Sequence, residues 1–228
     1  MRLVLLISGV GLMASVWATG CGMTVEQYDP KLAESLHNAA SGERDLPVVM
    51  DASLVTYTHA RRDVSVGLRT ENPDFVYRLR WRTIGSKHIR GTRIYRMKMG
   101  QALQQAAPLV WQKYLGVRMD PAAGLHVVEM AILSMSGEAV HDLAKTEASG
   151  GDSQVSYDMS LTLRCRLLAP GGREVASLSS TRRISCIGEA APECSFDEAA
   201  PRVLAEAFDG VLAEFFADNA VRTALGTE

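Results

Sequence analysis

Apolar and polar residues alternate most strictly over Phe75–Arg82. Phe75, Tyr77, Leu79 and Trp81 fall on one side of an extended chain, and Arg78, Arg80 and Arg82 on the other. This predicts a strand with one buried face. Val155–Leu168 repeats the pattern, with Tyr157, Met159, Leu161, Leu163, Cys165 and Leu167 set against Asp158, Ser160, Thr162, Arg164 and Arg166. Pro170-Gly171-Gly172 then reads as a turn, and Glu174–Ile187 as the returning hairpin partner. Val48–His59 and Val64–Thr70 are further strand candidates, joined by a turn at Arg61-Arg62-Asp63. Asn72-Pro73 is the next turn signal. Leu125–Ser136 is apolar on both faces and is expected to run centrally in the sheet. Residues 137–153 are polar and read as a loop.

Two stretches carry the helical period instead. Met97–Leu115 places Met99, Ala102, Leu103, Ala106, Val110 and Tyr114 near one face, with Gly116 as its stop. Pro108 inside it is expected to kink or split the helix. Near the C-terminus, Ala200, Val203, Leu204, Ala207, Phe208, Val211, Leu212, Phe215 and Phe216 form an apolar stripe. Ser195 and Glu198 have capping-box spacing, but Pro201 conflicts with a start at Ser195. Either the first turn is kinked or the helix begins at Pro201. The predicted fold class is α+β. Its order is βββ-α-βββ-α, with a mostly antiparallel sheet and two amphipathic helices packed on one face.

The chain has 228 residues, enough for one well-buried domain. The expected division is a leader over 1–20, a polar tether over 21–46 and a single domain over 47–225. Asp29-Pro30 offers a short helix through Ala40 within the tether. Hydrophobic residues make up 47% and charged residues 22%, which argues against disorder of the whole chain. A single long apolar run excludes a polytopic membrane protein. A net charge of −2 does not favour a nucleic-acid binder.

The apolar run lies at the N-terminus. Arg2 precedes an uncharged stretch from Leu3 to Ala18, and small residues lead on to Cys21. That is the layout of a secretory signal, and it is short for a spanning helix. Ala18-Thr19-Gly20-Cys21 resembles the lipobox of bacterial lipoproteins, with alanine where leucine is usual three places before the cysteine. The resemblance implies cleavage before Cys21 and acylation of its thiol and new amino group. Gly22 stands where an aspartate would favour inner-membrane retention, which points to the outer membrane and its periplasmic face. A soluble secreted protein and an uncleaved anchor helix are the alternatives.

Cys165, Cys186 and Cys194 are the other cysteines, in a compartment where disulfides persist. A bridge between Cys186 and Cys194 would close a short turn-rich loop and leave Cys165 a buried thiol. A bridge between Cys165 and Cys186 is the alternative. No CxxC is present, and no histidine stands nearby at metal-ligand spacing.

Chemistry is sparse in the sequence. The five histidines, His37, His59, His88, His126 and His141, form no HExxH or H-x-x-x-H, and there is no GxSxG, P-loop or Rossmann fingerprint. His126 and Glu129 are three apart on a predicted strand and point to opposite faces. No enzyme activity and no cofactor are expected. A hydrolase whose site assembles from distant residues is the outlying reading. Charge segregation is the one unusual feature. Residues 61–98 hold eleven Lys/Arg and three acids, a local +8, and the rest of the chain is −10. Arg78, Arg80 and Arg82, with Arg90 and Arg93, are the candidate contacts for anionic lipid, lipopolysaccharide phosphate or acidic glycan. The alternative is the ordinary wet face of a sheet, balanced by acids from elsewhere.

From about residue 89 to 220 the element order resembles small α/β outer-membrane lipoproteins. These include the YajG-like lipoproteins and, more loosely, the lipopolysaccharide-assembly and ABC-transport auxiliary lipoproteins. The resemblance implies a non-catalytic envelope protein anchored to a membrane, with a protein partner in the envelope and no nucleic acid. It carries over no functional residues.

Overall fold

The computed structural model describes residues 43–57, 64–85, 91–116, 118–119, 125–148, 155–187 and 196–227. In chain order they form β1 (Arg44–Leu46), a 3₁₀ turn (Ala52–Leu54), β2 (Ser65–Thr70), β3 (Tyr77–Ile84), β4 (Gly91–Met97) and α1 (Met99–Leu115). There follow β5 (Arg118–Met119), β6 (Val127–Asp142), α2 (Leu143–Ala148), β7 (Val155–Leu168), β8 (Glu174–Ile187), α3 (Phe196–Ala217) and α4 (Asn219–Leu225).

β6 is the axis of the sheet. One edge pairs antiparallel with β7 from Val127↔Leu168 to His141↔Val155, and β7 pairs antiparallel with β8. Along the other edge two strands follow one another, both parallel to β6. β2 takes the first part, with Gly67↔Val127 through Thr70↔Met130, and β3 the last, with Arg80↔Glu138 through Ile84↔Asp142. β4 runs antiparallel to β3, β1 parallel to β4, and β5 parallel to β2. Among the described residues the result is one eight-stranded mixed sheet.

The long ladders are antiparallel as expected, but the sheet is mixed, and the expected βββ-α-βββ-α order is corrected. The reason lies at Asn72-Pro73. Asn72 sits at φ 52° and bends the chain, yet β3 leaves in the direction in which β2 arrived. The expected reversal is a jog. Glu71 N–H donates to Met130 O at 2.8 Å and Phe75 N–H to Asn72 O at 2.9 Å, so the bend stays pinned to β6.

Val48–His59 does not form a strand in its described part. Val48, Met50 and Ala52 are buried and alternate with exposed neighbours, but the segment has no ladder partner. It packs across α1 and α3 instead, with Asp51 capping the 3₁₀ turn by accepting Ser53 N–H at 2.8 Å. β4 departs from the expected pattern because Arg93 lies on its buried face and Ile94 on the other, which breaks the polar alternation. The loop expected over 137–153 is instead the end of β6 followed by α2, up to Ala148. Ala139 and His141 are buried there. Gly137 has φ +149°, and a side chain at this position would run into the backbone of Asp158 on β7.

Met97 ends β4, so α1 starts two residues later than expected. It runs unbroken through Pro108 and closes on Gly116 at φ 63°. α3 starts at Phe196, ahead of Pro201. Pro201 is its sixth residue, past the first four N–H groups that lack a helical partner, so the helix forgoes one backbone bond there. The capping residue expected at Ser195 lies outside the described residues, as does the short helix expected after Pro30. The two long helices meet at Trp111. Its ring stands edge-on to Phe215 at 5.5 Å, and its Nε1 donates to Met130 Sδ on β6 at 3.2 Å. One contiguous core runs from Val48 to Val221. It takes in Met159, Leu161, Leu163, Cys165 and Leu167 of β7 and the apolar stripe of α3.

Candidate functional site

Alternation on β3 puts Leu79 in the core and leaves Arg78, Arg80 and Arg82 exposed on the opposite face. Cross-strand pairing brings Arg96 of β4 to the same face, opposite Arg78. Three acids from two other parts of the chain converge there. Glu43 lies 3.6 Å from Arg78 and 3.9 Å from Arg96, Asp45 of β1 lies 2.7 Å from Arg96, and Glu138 of β6 lies 2.8 Å from Arg82. Arg80 makes no ion pair with a described residue. Further along the face, Arg183 of β8 grips Asp158 of β7 through both carboxylate oxygens, with Nε to Oδ1 at 2.7 Å. The Arg183 hydrogen bonds hold the Asp158 carboxyl below its ordinary range.

Arg93 does not belong to this group. It is 6% exposed on the opposite face, donates from Nη1 to Tyr95 Oη at 2.6 Å, and lies 5.3 Å from the Tyr95 ring centre. Trp81 stacks edge-on with Tyr95 at 5.9 Å and with His141 at 6.1 Å on that side. Arg90, Arg61, Arg62 and Lys87 lie outside the described residues. So do Cys21 and Cys194, and with them the expected Cys186–Cys194 bridge.

The alternative bridge from Cys165 to Cys186 is excluded. On β8 the register partner of Cys165 is Leu178, eight residues from Cys186. That is roughly 26 Å along a strand, against less than about 7 Å between the Cα atoms of a disulfide. Cys165 is free and fully buried, and burial pushes its thiol well up.

A second charged cluster, absent from the expectations, lies at the other end of the same outer face. Register aligns Arg69 of β2, Glu129 of β6 and Arg166 of β7 in one row across three strands. Glu129 bonds both arginines, although its side chain is only 1% exposed. Glu71, just past β2, takes Arg164 and Arg166, each at 2.6 Å, and Glu174 lies 3.6 Å from Arg166. The three arginines and three glutamates balance. Burial raises the Glu129 carboxyl, but hydrogen bonding with Arg166, Glu71 and Arg69 outweighs it, and the net direction is down. The sequence signal was an acid embedded in the apolar run Val127–Leu133, which needs a partner wherever it is buried.

A shallow apolar groove of about 750 Å³ separates α1 from the 3₁₀ segment. It is lined by Val49, Met50, Asp51, Ala52, Leu109, Gln112 and Lys113, with Val49 72% and Leu109 53% exposed. Among the described residues no three His, Cys, Asp or Glu side chains cluster to hold a metal ion, and no helix is long and apolar enough to cross a membrane.

No protein-family model matches the chain, and no curated protein does. Among solved structures it is similar to a Xanthomonas campestris protein described under the family model DUF330, at 10% identity and TM-score 0.37, over 81% of this chain and 94% of that one. It is similar also to rare lipoprotein B from Shewanella oneidensis, at 13% identity and TM-score 0.29, over 72% of this chain and 95% of that one. A third similar structure is a minor lipoprotein from Acinetobacter baumannii, at 9% identity and TM-score 0.29, over 72% of this chain and 96% of that one.

Proposed function

We propose that the chain is a lipid-anchored lipoprotein of the bacterial outer membrane. It faces the periplasm and acts as a non-catalytic accessory or assembly factor of an envelope complex, in transport, secretion or outer-membrane biogenesis. The N-terminal sequence carries this reading: Arg2, the uncharged run from Leu3 to Ala18, and Ala18-Thr19-Gly20-Cys21. Each buried CH₂ of an acyl chain contributes about 0.8 kcal/mol, so more than one chain on Cys21 turns reversible binding into lasting attachment. The stretch from Cys21 to Glu43 spans at most roughly 75 Å when extended, which sets how far the folded body can stand from the bilayer. The role is then tethering plus surface recognition. Cys21→Ser is expected to move the protein from the membrane fraction to the soluble fraction and to abolish incorporation of labelled palmitate. A variant that stays membrane-bound with the same label would refute the anchor. Co-purification of a stoichiometric protein after mild detergent extraction tests the assembly role.

A second reading has one observation in its favour. Arg80 makes no ion pair with a described residue, and the nearest one to Arg78 is at 3.6 Å, so part of the basic strand is available to an anionic lipid or glycan. Replacing Arg78, Arg80 and Arg82 with glutamate is expected to abolish binding to vesicles containing anionic lipid. Unchanged binding would leave only the wet-face role.

A further inference from the structure

β8 forms one margin of the sheet: among the described residues it pairs only with β7. It is fourteen residues long and contains no proline or glycine, where a strand typically has about five or six residues. Half of its backbone N–H and C=O groups therefore point away from β7. Such a row accepts another strand when one is presented. We propose that the strand presented is β8 of a second copy, lying antiparallel about a two-fold axis at Thr181.

Thr181 lies near the middle of β8, so no neighbouring axis gives a longer overlap of the two strands, and the side chains suit this one better than either neighbour. With Thr181 opposite its own symmetry mate, Leu178 faces Ile184, Ser180 faces Arg182, Ser179 faces Arg183 and Ser177 faces Ser185. Apolar residues meet apolar ones, and each arginine meets a serine. Moving the axis to Ser180 sets Leu178 against Arg182. Moving it to Arg182 sets two arginines face to face, which is unfavourable in a directly opposed pair. The charge of Arg183 is already met within its own chain by Asp158. Thr181 is exposed, and its hydroxyl lies 3.0 Å from that of Thr162 on β7, so a two-fold pair would extend this hydroxyl row into the second copy.

The helical layer lies on one face beside the same axis. α3 packs on both β7 and β8, α4 packs on α3 and β8, and Gly210 of α3 crosses β8 against Ser180 and Arg182, beside Thr181. Helices of both copies would flank the seam on that face.

The test uses the full-length protein in mild detergent. Sedimentation is expected to show a dimer, and Thr181→Cys to form an intermolecular disulfide on mild oxidation. Thr162→Cys, one strand in from the margin on each copy, is expected to form none. Thr181→Lys sets two ammonium groups face to face at the axis. It is expected to weaken the dimer at least tenfold while the far-UV circular dichroism stays unchanged. A monomeric wild type, equal cross-linking of the two cysteine variants, or a dimer insensitive to Thr181→Lys would each overturn the proposal.

Discussion

Asp209 Oδ1 accepts the backbone N–H of Tyr57 at 2.7 Å. The other oxygen of the same carboxylate accepts Thr56 N–H at 3.1 Å and Thr56 Oγ1–H at 2.9 Å. A residue of α3 thus satisfies the backbone of a segment that has left the 3₁₀ turn without joining the sheet. Asp209→Ala strands these donors and is expected to cost about 1–3 kcal/mol. The urea midpoint should fall, and amide exchange over 48–57 should rise before that of β6 and β7. Equal loss of protection across the molecule would show that the segment has no such local fastening.

Glu129 makes stability depend on acid. Its carboxyl is held below the ordinary glutamate value of 4.5 in the folded chain, so the unfolded chain binds the proton more tightly. The contribution is complete above that value and is lost as pH falls through the folded value. Glu129→Gln removes the charge from its bonds to Arg69, which is largely exposed, and to Arg166, which keeps Glu71 and Glu174, and is expected to cost about 1–2 kcal/mol at neutral pH. The gap between variant and wild type should narrow progressively below pH 4.5 in urea melts. A gap that does not change with pH would show that the charge of Glu129 is not what matters.

Gly100, in the first turn of α1, has no space for a methyl group. Its N–H donates to Phe75 O at 3.0 Å, and a Cβ would lie within contact of the carbonyl oxygens of Asn72 and Pro73 and 2.7 Å from Phe75 N. These are backbone atoms and cannot swing aside. Gly100→Ala is therefore expected to destabilise by about 1–3 kcal/mol, although alanine is the better helix former. Thermal denaturation checks the sign: a more stable variant would mean that the bend yields.

Cys165 is expected to be inert. Its thiol is fully buried and its ionisation is pushed well up by that burial, so the reactive thiolate is suppressed. Peptide mapping after iodoacetamide treatment should find Cys165 unmodified in the folded protein and modified in urea. Labelling at equal rates in both states would contradict its placement among Met130, Leu163 and Leu167.

The elements with a single clean period were readable before the structure. β3, β7 and α3 each bury one stripe, β8 follows from the turn at Pro170-Gly171-Gly172, and each falls close to its expected place. The elements that were not readable break that rule for identifiable reasons. β4 carries a buried arginine, Arg93, and β1 and β5 are too short to show a period. Val48–Tyr57 alternates convincingly but spends its buried residues on helices. The direction of β3 was not readable either, because Asn72-Pro73 marks a bend without stating its angle. At the candidate site, the basic face of Arg78, Arg80 and Arg82 was legible from alternation. Its acidic partners Glu43, Asp45 and Glu138 were not, since they arrive by pairings among strands distant in the chain.

Because β2 and β3 ride the same edge of β6 in succession, the number of residues in the bend between them has a parity. Lengthening or shortening it by one would rotate the following strand half a turn, sinking three guanidinium groups and lifting Leu79 and Trp81 into water. A change of two would restore the facing at the cost of a sideways slip. Insertions in this bend should therefore be tolerated in even steps and rejected in odd ones.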